Sequence, residues 1–435
     1  MSAIVIRGGL VFHKGRFQKL EVRIDGQRIS QIQPKAETSG ARVIDAAALH
    51  VFPGVVDVQV HFREPGNVHK EDLESGSRAC ARGGVTSFLE MPNTSPPATN
   101  QAAMDRKLAL GAAKSHVNYG FFVGATNDNI ADLQTIKRVC GIKIFMGAST
   151  GDLLVDSPKS LERIFAETDK SRVIALHCED EARINARAEQ FKHRTDALVH
   201  TVVRDPEAAT IATRIAVGHA RKYQHRTHIL HVSTAAECEL FIPRDTLVTA
   251  ETSPHHLLLN VDDYPRLGTK VKMNPPVKYR EDNRGLWAAL QDGRIGAIAT
   301  DHAPHSLSEK RQDIWKAPAG IPAVENSLSL ILDASSRGFC TLEQVANWMC
   351  VNPARTYKMK QRGEIEIGNF ADFALVDTQT IHEVRDEKQA TKCGWSPWHG
   401  QKLKGRALTT ICNGKVVFED GQVKGSNDGR EIEYQ

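Results

Sequence analysis

Gly54-Val55-Val56-Asp57-Val58-Gln59-Val60-His61-Phe62 is a short run rich in β-branched residues, as buried strands are, and residues 71–83 behind it have helical composition. Working outward, the same pairing recurs. Apolar runs at 85–91, 118–123, 142–146, 173–177, 227–232, 247–252 and 295–301 are mostly followed by stretches rich in Ala, Leu, Glu, Arg and Lys. Residues 104–114, 161–168, 208–222 and 283–290 are examples. Eight strand-then-helix units in series predict an α/β fold, a (β/α)8 TIM barrel. An open doubly wound sheet is the alternative that alternation alone leaves. No GxGxxG follows the early strands, which argues against a dinucleotide site.

The two ends of the chain have another rhythm. Residues 3–7, 10–13, 20–24 and 29–32 alternate in a strand-like way, broken by Gly8-Gly9 and Asp25-Gly26; residues 373–376, 408–412 and 415–419 repeat the style around Asn413-Gly414 and Asp420-Gly421. Neither end can bury a sheet face alone. Together they predict a small β-sandwich domain built from both termini, with 1–52 and 358–435 flanking a barrel at 53–357.

Composition narrows the function classes. The 435 residues are 41% hydrophobic and 25% charged, which excludes a disordered, collagen-like or disulfide-scaffold chain. The 56 Lys and Arg against 52 Asp and Glu are mixed along the sequence, so neither nucleic acid nor a membrane surface is expected as partner. The first residues lack a basic, apolar leader pattern, and no run reaches the ~18 apolar residues of a spanning helix. Eight scattered cysteines without a CxxC pair read as reduced thiols of a cytoplasmic protein.

Barrel enzymes carry their chemistry at the C-terminal ends of the strands. Here the first strand ends at His61 and Arg63, with Asp57, Gln59 and His61 on one face by period-2 alternation. The fourth carries Lys143, the fifth ends at His177, the sixth near His231, and the eighth at Asp301. A single histidine at a strand end is usually a polar cap. Several strands ending in His, Lys, His, His and Asp suit a divalent ion such as zinc.

The stretches 57–66 (DVQVHFREPG), 91–94 (MPNT), 177–180 (HCED), 228–234 (HILHVST) and 299–305 (ATDHAPH) resemble dihydroorotases, within the amidohydrolase superfamily. The resemblance spans nearly the whole chain. It implies metal-assisted, reversible hydrolysis of dihydroorotate to N-carbamoyl-L-aspartate in pyrimidine synthesis. It also implies one or two zinc ions bridged by a carboxylated Lys143, one held by His61, Lys143 and Asp301, the other by Lys143, His177 and His231. Asp301 is then general base and acid. Arg63, Asn93 and His305 share the substrate carboxylate, Asn274 binds the ring, and Ala319 belongs to a substrate-facing loop. A homodimer is common among such proteins.

The chain departs from the pattern once: Gln59 stands where the first His of His-x-His belongs, a poorer zinc ligand than imidazole. Two alternatives follow. One is another cyclic amidase, of hydantoinase or allantoinase type, against which Arg63 speaks. The other is a non-catalytic partner of aspartate transcarbamoylase, which Gln59 favours. Elsewhere, His255-His256 are expected to be structural or supporting, Trp395 and Trp398 to anchor the β domain to the barrel, Cys178 to be core, and His193, His200, His219 and His225 to lie on the surface.

Overall fold

The computed structural model describes residues 3–147, 153–425 and 427–435. The barrel strands are Val55–Val60, Val85–Glu90, Asn118–Phe121 continued by Val123–Gly124, Ile142–Phe145, Ile174–His177, Thr227–Ile229, Val248–Thr252 and Ala297–Ile298. Each pairs in parallel with the next. A bridge from Val60 to His302, just past the eighth strand, closes the ring and excludes the open sheet. Helices Leu73–Arg82, Gln101–Lys114, Pro158–Glu167, Pro206–Tyr223 and Arg280–Asp292 cover the outside. Four of them begin with a side-chain cap, from Asp72, Asn100, Ser157 and Asp205, that satisfies an otherwise orphaned N–H.

Both ends of the chain build one β unit, as expected. His50–Pro53 pairs antiparallel with Phe373–Glu383 and parallel with Leu10–His13, within a seven-stranded sheet. A four-stranded sheet from residues 3–45 faces it, and Ile4, Ile6, Val22 and Ile24 bury against Val51, Phe373, Leu375 and Ile411. Strand Arg16–Lys19 carries too few apolar residues for patterning to signal it, and in Ala41–Asp45 the adjacent Val43 and Ile44 break the alternation. The last residues leave this unit: Glu431 and Tyr434 bridge to Tyr119 and Met359, and Ile432 is buried beside Phe122 and Val173. All eight cysteines are free thiols, and no helix among the described residues is long and apolar enough to cross a membrane.

One buried ion pair fixes the ends of the first two barrel strands. Glu90 Oε1 accepts the Phe62 N–H at 3.1 Å, and Glu90 Oε2 lies 2.8 Å from Lys107 Nζ. The ammonium also donates to the Met91 carbonyl at 3.1 Å and sits over the Phe121 ring. These contacts set the direction in which the chain leaves toward Arg63 and Asn93. Lys107→Met strands a carboxylate in the core and is expected to cost about 3–5 kcal/mol in urea unfolding, whereas adding Glu90→Gln should recover most of that loss. A silent Lys107→Met would show that the pair does not hold these strands.

Candidate active site

Gln59, His61, Arg63, Asn93, Lys143, His177, His231, Asn274, Asp301 and Ala319 line one cavity of about 20 Å³ at the C-terminal mouth of the barrel. His305 is the exception among the residues singled out above; it stands behind Arg63. A larger hollow of about 1020 Å³ beside Arg42, Glu325 and Arg406 lies against the β unit and holds none of these groups. Arg63, His231 and Asp301 take positive φ angles of 65°, 37° and 46°. Left-handed backbone at a side-chain-bearing residue costs of order 1 kcal/mol or more, and here it coincides with the strand ends that present these groups to the cavity.

On one side of the cavity, His177 Nδ1 and His231 Nε2 are 3.0 Å apart. His177 Nε2 faces Glu179 Oε2 at 3.1 Å, and Glu179 is ion-paired to Arg204. Burial would raise the Glu179 carboxyl, but Arg204 and His177 overcome it and hold it ionised. The carboxylate therefore accepts the His177 Nε2 proton and leaves the Nδ1 lone pair aimed at His231. Burial holds both imidazoles below their ordinary pKa, His231 further because His177 and Lys143 are near. They are neutral at pH 7, the form that ligates metal.

Lys143, fully buried, adds a third group. Its Nζ has no hydrogen-bond partner among the described residues and sits 4.5 Å from the centre of the Phe145 ring. Burial lowers its pKa to about 7, against a weaker opposing pull from Asp301. Among the described residues no three His, Cys, Asp or Glu side chains form a metal-binding group by themselves. Two imidazoles beside an orphaned amine become three ligands once the amine is carboxylated, so this side fits a divalent ion.

The opposite side is poorer. Asp301 Oδ1 lies 3.1 Å from His61 Nε2 and 3.1 Å from Gln59 Nε2, while His61 Nδ1 is 2.7 Å from Asn93 Oδ1. Position 59 offers an amide where an imidazole would serve zinc better.

Arg63 forms the far wall. It is 4% exposed, donates to the Pro304 carbonyl at 3.3 Å, and among the described residues pairs with no carboxylate. Burial lowers its pKa only to about 10, so it stays charged. His305 Nδ1 is 3.1 Å from Lys70 Nζ, a donor, so its Nε2–H is left to donate to the Ala319 carbonyl at 3.1 Å. Burial and the neighbouring Arg63 and Lys70 keep that imidazole neutral. Arg63 Nη2 abuts it at 3.2 Å without an acceptor. Asn274 Oδ1 accepts from His200 Nε2 at 3.0 Å, which leaves its amide hydrogens as the donors.

Residues 50–417 match the amidohydrolase family. A dihydroorotase of Halobacterium salinarum is 36% identical over 414 residues, 95% of this chain and 96% of its own length. One of Methanothermobacter thermautotrophicus is 34% identical over 415 residues, 95% and 94% of the two chains. Among solved structures, the L-hydantoinase (dihydropyrimidinase) from Arthrobacter aurescens superposes with a TM-score of 0.94 at 26% identity, covering 99% of this chain and all of that one. The dihydropyrimidinase from Brevibacillus agri, at 24% identity with 98% of each chain covered, shares the fold with a TM-score of 0.90.

The chain belongs to the amidohydrolase family. Within this member, three histidines expected on the surface are not exposed; one is His219, half-buried and stacked on the Phe165 ring at 5.4 Å between centres. His225 is fully buried and pairs with Thr168, and His200 is half-buried and holds Asn274; their helical, polar neighbours in sequence hid tertiary partners that come from elsewhere in the chain. His193 is exposed. His255 and His256 are buried, the latter bonded to the Pro275 carbonyl at 3.0 Å, and Cys178 is core. Trp395 and Trp398 pack with Tyr264 and Ile321 beneath the site, and Trp395 Nε1 donates to the His305 carbonyl at 2.8 Å. Glu179 was missed as a site residue; its place two residues beyond His177 was the available signal.

In metal-stripped, carbon dioxide-free protein the unfolded chain holds the Lys143 proton to ~10.4, while the folded amine releases it near 7. Stability should therefore rise with pH between those values. Lys143→Met lacks this dependence, so its stability advantage at pH 6 should shrink as pH climbs past 7; a constant gap in pH-resolved melting would contradict a depressed Lys143.

Proposed function

We propose that this chain is a dihydroorotase, acting on dihydroorotate and N-carbamoyl-L-aspartate in pyrimidine synthesis in the cytoplasm. The observation that carries the reading is the buried Arg63 guanidinium, paired with no carboxylate among the described residues, on the wall of a cavity that also holds two neutral imidazoles and a lysine with no hydrogen-bond partner among those residues. A planar fork of this kind grips a carboxylate bidentately. Dihydroorotate, a cyclic ureide, has that carboxylate; hydantoins and dihydropyrimidines without one leave the arginine unanswered. The dihydroorotases above support the same choice over the hydantoinase whose fold is so similar.

His177, His231 and carboxylated Lys143 would hold a divalent ion, zinc in our reading, which supplies water activation and polarisation of the amide carbonyl. Asp301 accepts the proton of the attacking water and returns it to the ring nitrogen as the C–N bond breaks, so the leaving group departs as a neutral ureido NH2 rather than an anion. Arg63 and Asn93 orient the carboxylate, His305 backs Arg63 from behind, and Asn274 donates to the ring. Residues 317–321 bring Ala319 and Gly320 to the cavity wall. Gln59 is the observation favouring a second reading, a non-catalytic partner of aspartate transcarbamoylase.

Arg63→Met should lower kcat/KM for dihydroorotate by at least ~10²-fold, the size expected for deleting one partner of a buried charge pair, with metal content per chain unchanged. Turnover that survives this change rules out the carboxylate clamp. An inert parent protein, fully loaded with zinc and bicarbonate, would favour the non-catalytic reading.

A further inference from the structure

We infer that this site is built for one divalent ion per chain, on the Lys143, His177 and His231 side, and that the Gln59 amide N–H takes the place of a second ion by holding Asp301. The inference rests on the proposed reading of Lys143, His177 and His231 as an ion site.

The two halves of the cavity differ in what they leave unsatisfied among the described residues: the Lys143 amine on one side, and on the other only the neutral Gln59 Oε1. On the Lys143 side, an amine without a partner faces two imidazoles whose nitrogens approach to 3.0 Å. The two ring nitrogens have only each other, and the amine has no partner among the described residues. Across the cavity, Asp301 Oδ1 already receives Gln59 Nε2 and faces His61 Nε2, both at 3.1 Å, and the other ring nitrogen of His61 is taken up by Asn93. An amide N–H directed at a carboxylate oxygen does for that anion what a cation would do, without one.

A second ion would have to break the Gln59–Asp301 bond and accept an amide oxygen where zinc prefers nitrogen. Gln59 has little room to yield. It is 1% exposed, its backbone N–H is tied to the Asp57 carboxylate at 3.3 Å, and its carbonyl faces Thr300 Oγ1 at 3.4 Å. The strand that carries it is thus pinned to the strand that carries Asp301. Gln59 is a positioning residue in this arrangement: it keeps the Asp301 carboxylate oriented beside the ion site, a place that in a two-ion centre a cation fills.

The test is metal stoichiometry, read independently of turnover. Full-length protein is loaded with zinc and bicarbonate, dialysed, and its metal per chain measured by plasma mass spectrometry; a manganese-loaded sample is examined by electron paramagnetic resonance. The parent should hold one ion per chain and give the spectrum of isolated manganese. Gln59→His should hold two and show exchange coupling between them. Gln59→Glu, equal in length and anionic, should also recruit a second ion and covers the case in which Gln59→His fails to fold, with a thermal melt as control. Two ions in the parent would overturn the one-ion inference and leave the proposed function standing. A folded variant pair that still holds one ion would overturn the role given to Gln59. No ion in the loaded parent would overturn the reading of Lys143, His177 and His231, and the inference with it.

Discussion

An amine buried without a partner is the constraint around which the rest of the site is arranged. Lys143 lies on the fourth barrel strand, fully enclosed, and burial lowers its pKa to about 7. Leaving an ammonium there is costly, and leaving a neutral amine there wastes a polar group that three or four strands have been bent to surround. Carboxylation, as proposed above, would resolve both problems: the charge would change sign and a ligand would join His177 and His231. The barrel supplies the walls that make the lysine unstable as an ammonium, and that instability suits it to become something else.

Holding those walls in register takes several further interactions, none of which touches a reacting atom. The Glu90–Lys107 pair binds the ends of the first two strands, and Asp57 accepts from the backbone N–H and the hydroxyl of Thr300, tying the first strand to the eighth. Arg204 keeps Glu179 ionised, and Glu179 in turn fixes the His177 tautomer. Lys310 donates to the carbonyls of Lys272, Pro318 and Gly320, so the loop over the cavity is fastened from beneath. Buried charge is common here, and each instance is paired with the backbone or a carboxylate that sets the aim of a neighbour. The Arg63 guanidinium meets the Pro304 carbonyl but, among the described residues, no carboxylate.

Much of this was legible before the fold was known, and for a physical reason. Strand alternation and the rule that barrel sites gather at C-terminal strand ends are short-range signals, so His61, Lys143, His177, His231 and Asp301 announce themselves from local sequence. What stayed hidden depends on contacts between distant segments. His200 is separated from Asn274 by several elements, His225 from Thr168 likewise, and nothing in their own neighbourhoods says that they are enclosed. The family resemblance assigns His305 a share of the substrate carboxylate; the structure puts it behind Arg63, where Lys70 and Ala319 use up its nitrogens.

Overall shape does not separate this chain from the hydantoinases, whose backbone it follows closely. A fold of this kind fixes where strand ends meet and says little about what meets there. In this chain one wall is a guanidinium set against Pro304 and His305 and, among the described residues, paired with no carboxylate. A neutral cyclic amide entering such a site leaves that charge buried and unpaired, whereas a ring bearing a carboxylate neutralises it. Selection between substrates then follows from the cost of an unanswered charge at low dielectric, a penalty that the polypeptide has already incurred on folding and that only an acidic ligand relieves.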